Sequence, residues 1–582
     1  MMIVVAFQAK WWRVAIALSV GLAGAPLVSG QSADLVIRNG KLVTLERDRP
    51  EGQALAARGG RIVAIGTNDS VAALVGPSTR VIDLKGRLAI PGFIEGHGHF
   101  AGLGASKMML DLRGAKNWDE IVTMVAAAAK EAKPGTWILG SGFHQAKWNR
   151  PPEPNVRGFP VHESLSRVSP HNRVWLTHAS GHAGFANAEA LREAGVNRDT
   201  PDPVGGEILH DKQGNPTGLL NERARELVDR ALDSYLERRP AAEAEAETLQ
   251  EINLAERDCL SKGITTFEDA GSPLATVDLY RKLAEQGKLG LRLWVMLRAP
   301  RAELATNLRR YYMVGVGGDH LTVRAIKEYI DGALGSRGAW LLAPYSDLPA
   351  GAPNRSGINT ENLTDIKQTA ELAIDNGFQL CTHAIGDRAN REVLNLYESV
   401  FREHPTKKDL RWRIEHAQHL DLADIPRFAA LGVIAAMQGI HCTSDAPFVI
   451  ERLGRERAQA GAYVWQSLMK SGAVVGNGTD TPVEDVDPIQ CYYASVSRRL
   501  KDETVFFPDQ RMSRMEALRS YTMSNAYAAF EDGRKGSLKV GKLADVTVLS
   551  KDILTVPEDE IRSAKVDYTI VGGKVMYERE GR

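Results

Sequence analysis

Two rhythms of apolar and polar positions divide the chain. Between residues 33 and 90, short β-branched runs alternate with turns: Asp34-Leu-Val-Ile-Arg-Asn-Gly40, Lys41-Leu-Val-Thr-Leu45, Gly60-Arg-Ile-Val-Ala-Ile-Gly66 and Arg80-Val-Ile-Asp-Leu84. Runs of this length bounded by Asn-Gly, Gly-Gly and Lys-Gly read as antiparallel strands. The same texture returns at Gly541-Lys-Leu-Ala-Asp-Val-Thr-Val-Leu549 and Asp567-Tyr-Thr-Ile-Val-Gly-Gly-Lys-Val-Met-Tyr577. Neither end is long enough for a robust core alone. The pattern therefore predicts one small composite β-sandwich, built from residues 31–90 plus 537–582, with residues 91–536 inserted between its halves.

The inserted part has another period. A helical stretch ends in Gly and an apolar strand follows at once. Ser261-Lys-Gly263 leads into Ile264-Thr-Thr-Phe-Glu-Asp-Ala-Gly271, and Asp375-Asn-Gly377 into Phe378-Gln-Leu-Cys-Thr-His383. Ala430-Leu-Gly432 leads into Val433-Ile-Ala-Ala-Met-Gln438, and Lys470-Ser-Gly472 into Ala473-Val-Val-Gly-Asn-Gly-Thr-Asp480. Leu363, Ile366, Ala370 and Ala373 carry helical spacing across residues 362–376. Gly suits the left-handed residue that ends such a helix. Repeated helix–Gly–strand units with buried strands predict a parallel sheet, and at this length an α/β fold closed into a (β/α)₈ TIM-like barrel. A doubly wound open sheet is the alternative, but no Gly-rich phosphate loop follows the first strand. Residues 101–255 interrupt the rhythm with Trp, Pro, Gly and His. They are read as the second barrel strand plus a large insertion over the active-site mouth, where long loops shape pockets.

Composition narrows the partners. Among 582 residues, Lys+Arg and Asp+Glu are both 72. No basic field exists to hold nucleic acid or an anionic membrane, so a partner has to be sought in a pocket. Residues 1–30 stand apart: Lys10 and Arg13 precede the apolar run Val14–Val28, and small residues lead to Gln31. This is the pattern of a cleaved signal peptide. It predicts an exported protein, periplasmic or secreted, with no stable membrane insertion after cleavage. Cys259, Cys381, Cys442 and Cys491 lack metal-type spacing. Whether a disulfide forms, and whether the chain is a homo-oligomer, stays open.

The chemistry clusters where apolar runs stop. Catalytic groups of a barrel sit at the C-terminal ends of its strands. The first such end is Pro91-Gly-Phe-Ile-Glu-Gly-His97-Gly-His99, whose two histidines at i, i+2 share a strand face. Lys327 lies near the end of Leu321–Gly332. His383, His416 and Asp480 close three later runs. Four imidazoles and one carboxylate, arriving in chain order, match what a divalent cation, in the first place zinc, accepts. Taken singly, His383 and His416 read as core histidines, Asp480 as a helix N-cap and Lys327 as a solvated lysine. Glu268, at the end of the Ile264 run, is an alternative carboxylate.

In these motifs, joined by Gly205-Gly-Glu-Ile, Ile326-Lys-Glu-Tyr-Ile-Asp-Gly-Ala-Leu-Gly-Ser-Arg337, Thr382-His-Ala-Ile-Gly-Asp387, Ile414-Glu-His416, Gly478-Thr-Asp-Thr-Pro482 and Gly541-Lys-Leu-Ala-Asp545, the chain resembles the amidohydrolase superfamily. The likeness is to its long branch that includes N-substituted formamide deformylases, and it covers essentially everything after residue 30. The resemblance implies a barrel with a composite β-domain. It further implies one ion on His97, His99 and Asp480, a second on His383 and His416, and a carboxylated Lys327 between them. The sequence departs from the branch at Gly142-Phe143-His144, where Gly-Trp-Asp is common.

The expected activity is hydrolysis of a non-peptide carbon–nitrogen bond of a small amide by metal-activated hydroxide, with Asp480 as general acid/base. A deaminase or cyclic-amide hydrolase on the same site, and a catalytically inactive barrel serving as a binding module, are the alternatives. For the substrate, His178, His182 and Trp148 in the insertion are candidate pocket residues, and Arg337 and Arg388 candidate carboxylate clamps. Loop packing and structural ion pairs compete for all five.

Overall fold

The computed structural model describes residues 32–581, apart from residues 144, 146, 147, 179–182, 204, 205, 336, 349, 350 and 352–354 and the side chain of Glu222. The leader-type segment 1–30 and His182 therefore lie outside the described residues.

Eight parallel strands form the central sheet: β1 (Phe93–Gly98), β2 (Ile264–Ser272), β3 (Arg292–Leu297), β4 (Leu321–Tyr329), β5 (Gln379–Ala384), β6 (Arg413–His416), β7 (Ile434–Gln438) and β8 (Val475–Gly478). They pair in chain order, with register such as Lys327 opposite Cys381 and His383 opposite Glu415. Helices lie between them, as the helix–Gly–strand rhythm predicts. Leu363–Asn376 is capped by the Asn362 side chain and ends at Gly377, whose φ of 76° places it in the left-handed region that a Cβ disfavours. The circle closes between β8 and β1. Asp480 N donates to His97 O at 2.8 Å, and His99 N to Thr481 O at 2.8 Å. Asn525, from the helix Met523–Ala528, bridges the same seam with Nδ2 donating to Ile94 O and Asn477 O, both at 2.8 Å. Gly478 is required there: a Cβ would stand 2.5 Å from His97 N and 2.6 Å from Glu95 Oε1. The structure is thus the expected (β/α)₈ barrel.

Residues from both ends form two further sheets. One, of four strands, includes Leu35–Arg38, Ala54–Arg58, Arg61–Gly66 and Arg80–Asp83. The other, of six, joins Lys41–Val43 and Leu88–Pro91 to Val546–Leu549, Val566–Val571 and Lys574–Glu578. Leu35, Leu55, Ile82, Val548 and Ile570 belong to the core they share.

One expectation is corrected. Among the described residues, 101–255 contribute no barrel strand; the second barrel strand is Ile264–Ser272. Trp137–Phe143 instead pairs with Arg173–His178 in a separate six-stranded sheet spanning Leu110 to Glu222. The physical reason is a core of its own. Trp118, Ile121 and Val125 of the helix Trp118–Glu131 share a core with Val174, Leu176 and Phe185 of that sheet and satisfy its apolar face without the barrel.

Candidate metal centre

The C-terminal ends of five barrel strands and the turns after them carry one cluster of donors. His97 on β1 is buried, His99 just past its end is half-buried, and both face Asp480 just beyond β8. Their Nε2 atoms lie 3.5 and 3.4 Å from Asp480 Oδ1. Lys327 on β4 is buried, with Nζ 3.4 Å from His97 Nε2 and 4.9 Å from the Tyr329 ring centre. The His383 and His416 rings, ending β5 and β6, stand 4.5 Å apart, and His416 is 4.9 Å from His97. All six residues face one cavity of about 380 Å³. His416 and Asp480 take up positive φ, 74° and 58°. Such backbone costs about 1–3 kcal/mol per residue and clusters at functional sites.

Partners beneath the cluster fix the imidazoles. His97 Nδ1 hydrogen-bonds Glu415 Oε2, which turns His97 Nε2 toward the cavity. Glu415 is itself clamped by Arg413, whose Nε and Nη2 donate to Oε1 and Oε2 at 2.7 and 3.0 Å. Arg413 Nη2 also donates to Gly96 O at 2.7 Å, and its Nη1 reaches Glu268. His416 Nδ1 donates to Gln438 Oε1 at 2.6 Å, leaving its Nε2 lone pair toward the cavity. This is how imidazole ligands are oriented from behind.

The electrostatics agree. Burial, then the neighbouring Lys327, lowers His97 to about 4, so the ring is neutral at pH 7. Burial also holds His416 well below its ordinary value. Burial depresses Lys327 as well, which favours the neutral amine. For Asp480 burial acts upward, but the His99 contact and nearby imidazoles outweigh it and keep the carboxyl ionised. Glu415 follows the same balance, with Arg413 and His97 holding it at about 2.

The donors suit a divalent cation. His97, His99 and Asp480 offer ligand atoms within 4.8 Å of one another, as do His416, His441 and Asp480. Among the described residues His441 Nε2 is buried without a hydrogen-bond partner, and buried His383 Nε2 has the Asp331 carboxylate 3.4 Å away but no hydrogen bond. Unpartnered buried imidazole nitrogens around an ionised carboxylate are costly unless something binds them. His441 was missed from the sequence. It sits one turn into helix α1 (Gly439–Leu453), past the end of β7, outside the strand-end rule. The signal available was its place three residues after Gln438.

Other candidates fall elsewhere. Arg337 pairs with Asp347 at 2.8 Å, and Arg388 stacks 4.5 Å over Trp340. His178 contacts Gln145 at 3.0 Å and the Phe143 ring, and Trp148 packs beside Trp118 and Phe143. None of these four lines the cavity. Glu268 pairs with Arg413 below the site instead of facing it. The four cysteines are buried and free.

Comparison with known proteins gives a consistent picture. The sequence profile of the amidohydrolase family matches residues 80–577. Protein LONG AFTER FAR-RED 3 of Arabidopsis thaliana is 34% identical over 562 residues, covering 94% of this chain and 92% of that protein. The N-substituted formamide deformylase of Arthrobacter pascens is 28% identical over 559 residues, 95% and 99% of the two chains. A crystal structure of an uncharacterised metal-dependent hydrolase from Pyrococcus horikoshii OT3 superposes with a TM-score of 0.73 at 26% identity, covering 90% of this chain and 99% of that one.

Proposed function

The chain belongs to the amidohydrolase family and is a metal-dependent hydrolase of carbon–nitrogen bonds, and from that premise we propose that it cleaves a linear, non-peptide amide at a two-zinc centre. The observation that carries this reading is the convergence of His97, His99, Lys327, His383, His416 and Asp480 on one cavity, with their supporting partners turned away from it. His97, His99 and Asp480 would hold one ion, and His383 and His416 the second. Lys327 is buried with no carboxylate within ion-pair distance among the described residues, and burial lowers its basicity. Carboxylated by CO₂, Lys327 would become an anion and would supply carboxylate oxygens to the ions. When bound, the ions supply an activated water and polarise the scissile carbonyl.

The chain's own groups do the rest. The ionised Asp480 carboxylate accepts the proton of the attacking water and returns it to the leaving nitrogen. Glu415 and Gln438 keep the ring nitrogens of His97 and His416 in one tautomer throughout. Hydrolysis of a panel of N-formyl and N-acyl amines tests the reading. Turnover abolished by chelation and restored by zinc is expected; turnover that survives full metal removal contradicts it.

Export belongs to the same reading and is supported by the pattern of residues 1–30. A mature chain starting near Gln31 in an exported fraction is expected. A cytosolic chain that keeps those residues contradicts it.

A further inference from the structure

Helix α1 leaves the barrel immediately after β7, so its successive turns measure distance outward from the strand-end donor cluster. His441, Asp445 and Phe448, spaced i, i+4 and i+7, all line the cavity. That spacing puts them on one helix face. A rise of 1.5 Å per residue sets Asp445 about 6 Å, and Phe448 about 10 Å, further out along the helix than His441. The innermost rung carries an unpartnered donor or acceptor: His441 Nε2 is buried, bonded to nothing among the described residues, and faces the same space as Asp480. The second rung is a carboxylate fixed from behind. Asp445 Oδ2 accepts from Tyr463 OH at 2.7 Å and from Gln418 Nε2 at 3.1 Å. Tyr463 and Gln418 are themselves buried, so this carboxylate is held rather than swinging in solvent.

Away from Lys327 in the strand-end cluster, the charges around that rung are acidic. Glu484, in the turn after β8, adds a second carboxylate to the cavity wall. Among the described residues neither Asp445 nor Glu484 has a Lys or Arg within ion-pair distance, and the cavity is lined by no Arg and by one Lys, Lys327 of the strand-end cluster. The two arginines that could have recognised an acidic substrate, Arg337 and Arg388, are held elsewhere by Asp347 and Trp340. A fixed, partly buried carboxylate without a counter-ion costs free energy that a cationic ligand recovers.

We propose that the substrate is an amide carrying a positively charged group, an ammonium or guanidinium about one helical turn from the scissile bond, with Asp445 as its principal anchor, Glu484 as a second acidic wall and His441 hydrogen-bonded to the reacting amide. This rests on the amide-hydrolase reading for the bond that is cleaved. The recognition itself is a binding claim and is measured separately. A carboxylate in place of the ammonium meets Asp445 and Glu484 and is rejected; a plain alkyl chain reaches Phe448 but leaves Asp445 unpaired.

Two measurements on the zinc-loaded full chain test this. Calorimetric binding compares pentylamine, cadaverine and aminovalerate as product analogues, and hydrolysis compares their N-formyl derivatives. Cadaverine is expected to bind at least tenfold more tightly than pentylamine, with aminovalerate weaker than both. Asp445→Asn should collapse the cadaverine-to-pentylamine ratio to near unity, and Glu484→Gln should lower it less; unchanged melting temperatures establish that both variants fold. Equal binding of the three amines, preference for aminovalerate, or a ratio untouched by Asp445→Asn overturns the proposal. Cadaverine preference without turnover of any formamide would leave it standing and count against the amide-hydrolase reading. Turnover without charge preference would do the reverse.

Discussion

At the scale of single residues, the centre depends on side chains that never touch the cavity. Glu415 lies at the middle of a buried chain running from His97 through Arg413 to Glu268. Replacing it by Gln removes one charge from a pair whose other member stays buried, at a cost of about 3–5 kcal/mol. It also loosens the His97 tautomer, which typically costs 10–100-fold in metal affinity. Glu415→Gln should therefore lower the melting temperature and weaken zinc binding together, by calorimetry and competition with a chromophoric chelator. Unchanged zinc affinity would remove Glu415 from this role.

A second prediction at this scale concerns pH. Burial lowers His97 to about 4 and His419 to about 3. An unfolded imidazole titrates near pH 6.5. Above that pH both states are neutral and the full stability is present. As pH falls, the unfolded chain takes up protons that the buried rings refuse, so stability drops from about pH 6.5 toward pH 4. Chelator-treated protein should melt at progressively lower temperature across that window, and His419→Gln should flatten the slope. A melting temperature that rises as pH falls would contradict the assignment.

The six strand-end donors were legible in the sequence because each follows directly on an apolar run, where the barrel rule places functional groups. His441 and Asp445 were not, since a helix position reveals its facing only once the helix is docked. Arg337 and Arg388 were misplaced for a related reason. Whether a guanidinium is free for a ligand depends on Asp347 and Trp340, neither of which adjoins it in the chain.

Among the secondary-structure elements, the glycine-terminated helices were readable because one residue type suffices to mark them. The seam of the barrel was not. Asn525 looks like any polar residue in a short helix, yet its Nδ2 holds β1 to β8 and its Oδ1 accepts from Asn477 N at 3.1 Å. Asn525→Ala leaves buried backbone groups without partners at about 1–3 kcal/mol each. Destabilisation of about 2–4 kcal/mol in denaturant unfolding is expected; a change below 0.5 kcal/mol would show that the seam holds without it. A barrel strand was expected within residues 101–255 because a short apolar run carries no record of its neighbours. Only the partner strand Arg173–His178 and the core around Trp118 show that Trp137–Phe143 belongs to a separate sheet.

For the whole molecule, one buried ion pair joins the barrel to the sheets built from both ends. Arg292 on β3 donates from Nε and Nη2 to Asp545 at 2.8 and 2.9 Å, and Gly572 N donates to the same carboxylate at 2.8 Å. Asp545 lies in the Gly541-Lys-Leu-Ala-Asp545 motif, so a residue far from the cavity in sequence serves attachment, not chemistry. Asp545→Asn strands a buried guanidinium and should cost about 3–5 kcal/mol while leaving the KM of any remaining folded enzyme unchanged. A shifted KM with unchanged stability would contradict that division.

The central proposal is that His97, His99, Lys327, His383, His416 and Asp480, from five strand ends of the barrel, would together hold two ions. Elemental analysis of the purified chain, beside Lys327→Ala, tests it most directly. About two zinc per chain in the parent protein, falling to about one or fewer in a folded Lys327→Ala variant, is the predicted result. A folded, active parent carrying no divalent metal, or a Lys327→Ala variant that keeps the parent's full metal content, would contradict the account.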